Sequence, residues 1–127
     1  MANPILLDTD VLVDFLRGHN KAVAFVNAYS NWIILPSIVI AELYAGIKGE
    51  DEQVALDKFV SLFRVIPVNT EIAKTGGLYK RKINRSHGVG LADAIIAASV
   101  EAENAELKTL NIRHYPMMKG LVPAYKK

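Results

Sequence analysis

Short segments rich in apolar residues alternate along this chain with longer stretches whose apolar residues recur every third or fourth position. Ile5 to Leu7, Trp32 to Pro36, Arg64 to Val68 and Leu107 to Leu110 are brief and bounded by polar or turn residues, which predicts strands. Between them, helical spacing predicts helices over Val11 to Leu16, Lys21 to Tyr29, Ile38 to Lys48, Glu52 to Leu62, Glu71 to Ile83 and Leu91 to Ala102. Asp8-Thr9-Asp10 and Ser37 offer capping oxygens at two helix starts, and Gly18 and Gly49 stand at two helix ends. Ser86 to Gly90 reads as a loop, and Gly120 to Pro123 is a candidate fifth strand.

Strands separated by helices predict an α/β fold: a short central parallel sheet of four to five strands with helices on both faces. At 127 residues the chain is read as one domain, 1–127. With no cysteine, neither a disulfide framework nor a thiolate zinc site is available, which makes a reducing cytoplasm the expected location. No basic leader precedes Ile5, and no apolar run approaches the ~18 residues of a membrane span, so no membrane role is expected.

Net charge is only +2, but it is unevenly spread: Lys80, Arg81, Lys82 and Arg85 sit close together with no acid between Glu71 and Asp93. A solvated helix face is the ordinary explanation of such a run. RNA contact is the functional one.

Three acids stand out because each lies in an apolar context without a local cation. Glu42 has Ile38, Val39, Ala45 and Gly46 as its helical neighbours, and Asp93 has Val89, Gly90, Ile96 and Ala97. Asp8 follows an apolar strand, which places it at the carboxyl edge of a parallel sheet, where α/β proteins build their sites. Each acid taken singly has a plain structural explanation, a helix cap for Asp8 or a distant basic partner for the others. Burying a charge alone costs several kcal/mol. Three together therefore point to protonation or a shared cation, and oxygen ligands favour Mg²⁺ or Mn²⁺.

At these positions the sequence resembles PIN-domain ribonucleases, particularly the VapC toxins of toxin–antitoxin pairs. The motifs are Leu6-Leu7-Asp8-Thr9-Asp10-Val11-Leu12, Ser37-Ile38-Val39-Ile40-Ala41-Glu42-Leu43 and Leu91-Ala92-Asp93-Ala94-Ile95-Ile96-Ala97. Leu110-Asn111-Ile112-Arg113-His114-Tyr115 and Gly120-Leu121-Val122-Pro123 are similar to the family's closing segment, so the likeness spans nearly the whole chain.

The resemblance implies a metal-dependent endoribonuclease in which Asp8, Glu42 and Asp93 are catalytic metal ligands, with Thr9, Thr109 and Asn111 beside them. It also implies an RNA substrate, a VapB-like antitoxin that covers an apolar groove and inserts a basic side chain into the acid pocket, and toxin homodimers. Asn111 lies near a position where many PIN domains carry a fourth acid, which predicts three negative charges in the pocket. Asp10 is expected at a helix start, Asp14 in a local ion pair with Arg17, Tyr79 against a base, and His19, His87 and His114 in loops. Two other readings compete: a catalytically silent PIN-like module that binds RNA or protein, and a HAD-type phosphatase using Asp8 as nucleophile.

Overall fold

The computed structural model describes residues 3–83 and 89–127, so Arg85, His87 and most of the expected 86–90 loop lie outside the described residues. Strands β1 (Ile5–Leu7), β2 (Ile33–Pro36), β3 (Arg64–Ile66) and β4 (Glu106–Lys108) form one sheet in the order β3-β2-β1-β4. Every pairing is parallel. Successive strand residues point to opposite faces, and every residue of β1 and β2 is buried, so both faces of the sheet centre are covered.

Six helices supply that cover: α1 (Thr9–Leu16), α2 (Asn20–Tyr29), α3 (Ser37–Gly46), α4 (Glu50–Val60), α5 (Thr70–Ile83) and α6 (Leu91–Ala102). Leu6, Leu7, Leu12, Leu35, Val39, Leu56 and Ile96 form the centre of the core, each almost wholly removed from water. Among the described residues no helix is long and apolar enough to cross a membrane.

The expected elements appear with shifted ends. Helix α3 stops at Gly46 rather than Lys48, and the Lys48 amide is satisfied by the Glu52 carboxylate at 3.1 Å. Strand β3 ends at Ile66 because Pro67 has no amide hydrogen to offer a ladder. The candidate fifth strand does not form. Residues 120–123 stay irregular, and the next residue, Ala124, donates its amide to the Thr109 carbonyl at 2.9 Å.

Helix α5 packs closely on α6. A Cβ placed on Gly76 would stand 2.8 Å from Ile95 Cγ1 and 3.0 Å from Ile95 Cα, so glycine permits the approach. That packing seats the helix that carries Asp93. The Asp14–Arg17 pair is not seen; Asp14 instead accepts from Tyr125 at 2.8 Å and pairs with Lys127 at 3.0 Å. A cation from the end of the chain takes the place of Arg17, and spacing along one helix carries no sign of it.

Candidate active site

Leu7 of β1 is in register with Lys108 of β4, so the residues that follow, Asp8 and Thr109, leave the sheet side by side. The chain winds outward from β1 through β2 to β3, then returns to the other flank of β1 as β4. The carboxyl ends of β1 and β4 thus mark the reversal of strand order, the place where open parallel sheets leave a crevice.

Asp8 also caps α1: its Oδ1 accepts from the Thr9 amide at 2.7 Å. Its Oδ2 accepts from Thr109 Oγ1 at 2.8 Å and from the Tyr115 hydroxyl at 2.7 Å. Glu42, on α3, accepts from Thr9 Oγ1 at 2.6 Å. Asp93 sits in the first turn of α6, where its Oδ2 faces the Gly90 amide at 3.4 Å and His114 Nδ1 at 3.3 Å. Asp10 accepts from the amides of Val11 at 2.7 Å and Leu110 at 3.0 Å. The Asn111 side chain lies 3.2 Å from His114 Nε2.

These interactions draw parts of the chain far apart in sequence around one cavity of about 370 Å³, lined by Asp8, Thr9, Asp10, Glu42, Asp93, Asn111 and His114. Asp8, Thr109 and Tyr115 are buried, while Glu42 and Asp93 are half-buried and reach the opening. Among the described residues no lysine or arginine pairs with any of the four acids. Burial, reinforced by the Asp8 charge, pushes the Asp10 carboxyl up to about 6 against the hydrogen bonds it receives. Burial also raises Asp93, with His114 opposing and Asp8 adding to the shift. The Tyr115 phenol is driven far above the usual tyrosine range by burial and by Asp8, so it remains a hydrogen donor.

A strand-end crevice that gathers four acids with no lysine or arginine paired to them among the described residues has the chemistry that suits a cation. The sequence model of the PIN domain matches residues 5–116 of this chain. The chain belongs to the PIN domain family. Ribonuclease VapC19 of Mycobacterium tuberculosis is 37% identical over 124 residues, covering 94% of this chain and 98% of that protein. Ribonuclease VapC10 of the same organism is 36% identical over 124 residues, covering 95% of this chain and 92% of that protein. Among solved structures, a toxin-antitoxin complex from Klebsiella pneumoniae superposes with a TM-score of 0.79 at 25% identity, covering 97% of this chain and 99% of that one. VapBC2 from Rickettsia felis, bound to a DNA fragment from its promoter, gives 0.76 at 26% identity, covering 94% of this chain and 96% of that one.

In this PIN domain the expected acids Asp8, Glu42 and Asp93 open onto the same cavity, together with Thr9 and Asn111, while Thr109 stands behind Asp8. Three residues carry more of the site than the sequence indicated. Asp10 lines the cavity, so the pocket holds four carboxylates rather than three; His114 faces Asp93; Tyr115 touches both Asp8 and Asp93. The spacing Asp8-Thr9-Asp10 was a usable signal for the first. The others lie in the closing segment Leu110 to Tyr115, whose resemblance to the family flagged the stretch but not their roles.

The donor set suits a hard divalent cation, since carboxylate oxygens predominate and, among the described residues, no lysine or arginine pairs with them. Yet among the described residues no three acidic or imidazole groups already surround a common point at ligand spacing. Hydroxyl donors hold the carboxylates instead: Thr9 holds Glu42, and Thr109 and Tyr115 hold Asp8.

The basic strip divides. Lys80 donates its ammonium to the Val89 carbonyl, just before α6, whereas Arg81 and Lys82 are exposed. Tyr79 is partly buried against the core and gives its hydroxyl to Glu101.

Proposed function

We propose that this chain is a metal-dependent endoribonuclease, the toxin of a toxin–antitoxin pair, and that Asp8, Glu42 and Asp93 hold Mg²⁺ or Mn²⁺ in the cavity at the sheet's carboxyl edge. The single observation that carries this reading is the gathering of unneutralised carboxylates at the strand-order reversal of a PIN domain whose relatives are ribonucleases. That family assignment also leaves no place for the HAD-type phosphatase reading.

When bound, the cation acidifies water and offsets charge on the phosphodiester. Asp8 serves as the fixed member of the set because three donors orient it. Glu42 and Asp93, half-buried, face the open side, from which a cation would reach them. Asp10 ties the start of α1 to the segment after β4 through the Leu110 amide, which keeps Asn111 and His114 beside the opening. An acidic cavity repels a bare phosphate, so Arg81 and Lys82 are assigned the grip on RNA.

A groove with an apolar floor and charged rim residues Arg17 and Glu52 adjoins the cavity. Glu42 borders both, and Val13, Leu16, Leu43 and Ile47 continue the groove along α1 and α3. This continuity fits a VapB-like antitoxin that lays apolar residues in the groove and directs a basic side chain at the acids. The same reading assigns a cytoplasmic location and pairing of toxin copies.

The test is product chemistry. Metal-stripped protein should leave RNA intact, and added Mg²⁺ or Mn²⁺ should restore cleavage that leaves 5′-phosphate and 3′-hydroxyl ends. Cleavage that persists in chelator, or that leaves 2′,3′-cyclic phosphates, would contradict the proposal; a folded protein that never cuts would favour the silent module.

A further inference from the structure

A tyrosine ring fully enclosed beside two carboxylates has an unusual burden: its hydroxyl loses water and must be satisfied by the acids themselves. Tyr115 is 1% exposed, and its hydroxyl lies 2.7 Å from Asp8 Oδ2 and 3.4 Å from Asp93 Oδ1. Among the described residues no other side chain hydrogen-bonds to both acids. Asp8 comes from the end of β1, Asp93 from the first turn of α6, and Tyr115 from the segment after β4, so one phenol joins three separate parts of the fold.

We infer that Tyr115 is a positioning residue that fixes Asp8 relative to Asp93, so that two carboxylates from different elements stand ready to share one cation. This rests on the cation-site reading above. The phenol has one hydrogen, and the shorter distance assigns it to Asp8. Asp93 Oδ1, at 3.4 Å, is the weaker acceptor of the same hydroxyl, and its other interactions, with the Gly90 amide at 3.4 Å and with His114 at 3.3 Å, are long too. Asp8 is thus held by three donors with an Oδ1 lone pair to spare, while Asp93 is placed but short of close donors. A carboxylate so placed gains most from a cation, and the phenol holds its distance from Asp8. Outer groups that orient metal ligands typically contribute 10- to 100-fold in affinity.

Phenylalanine at 115 preserves the ring and removes only the oxygen, which makes Tyr115→Phe the decisive variant. Saturable Mn²⁺ binding to the full chain is read from the electron paramagnetic resonance signal of free Mn²⁺, alongside urea unfolding in chelator. The inference expects Mn²⁺ affinity to fall by about 10- to 100-fold while the metal-free variant still unfolds cooperatively. It further expects kcat for RNA cleavage to fall while KM for RNA stays near wild type. Wild-type binding with unchanged affinity in folded Tyr115→Phe would overturn the positioning role and leave the cation site standing. Absence of saturable Mn²⁺ binding to the wild type would overturn both.

Discussion

Thr109 Oγ1 donates to Asp8 Oδ2 across 2.8 Å, although the two residues are 101 positions apart in the chain. The parallel register of β1 and β4 creates this pair, because both residues take the first step beyond neighbouring strands. The Thr109 side chain is wholly buried. Replacing it by valine keeps the shape and removes a donor to a charged acceptor, so Thr109→Val should cost about 1–3 kcal/mol. Urea unfolding checks this, with the midpoint falling at constant slope.

The two glycines of α5 should respond with opposite signs. Gly76→Ala drives a methyl into Ile95 and should destabilise by about 1–3 kcal/mol through overpacking. A Cβ on Gly77 meets nothing, so Gly77→Ala should stabilise by roughly 0.5–1 kcal/mol through helix propensity. Paired thermal melts decide the matter.

Stability should depend on pH through Asp10. Its carboxyl titrates at about 6 in the fold, above its value in the unfolded chain, so the native state binds the extra proton between those values. Stability of the metal-free protein should therefore fall as pH rises from about 4 to about 6. Asp93 is shifted in the same direction and adds to the slope. Asp10→Asn should flatten the profile, and saturating Mg²⁺ should flatten it too, because a cation displaces those protons. Unfolding midpoints across that range provide the check.

The sheet and the acids were legible in sequence for specific reasons. Ile5 to Leu7 and Ile33 to Leu35 are apolar without interruption because both faces of the sheet centre are covered, and Glu42 and Asp93 stood out because their helical neighbours are all uncharged. What escaped was long-range. Tyr115 and His114 enter the site only because the chain doubles back after β4, and Asp14 takes Tyr125 and Lys127 rather than nearby Arg17. Local spacing holds no record of such returns. Residues 120–123 show the converse error, since an apolar run ended by proline looks like a strand wherever it falls.

The basic residues Lys80, Arg81 and Lys82 of α5 should separate by role. Lys80→Ala removes the donor to the Val89 carbonyl and should weaken the start of α6, visible as lower stability. Arg81→Ala and Lys82→Ala alter exposed residues, so folding should be unaffected while RNA binding weakens. Removing one cation from the RNA phosphates should reduce the dependence of log affinity on log salt by about one unit or slightly less. Binding titrations at several salt concentrations distinguish the two classes.

The most direct measurement of the central claim is Mg²⁺- or Mn²⁺-dependent RNA cleavage by the wild type beside Asp8→Asn, Glu42→Gln and Asp93→Asn, each shown to be folded. Cleavage by the wild type alone, abolished in all three variants and by chelator, is the predicted result. Undiminished cleavage in any folded variant, or cleavage without divalent cation, would contradict it.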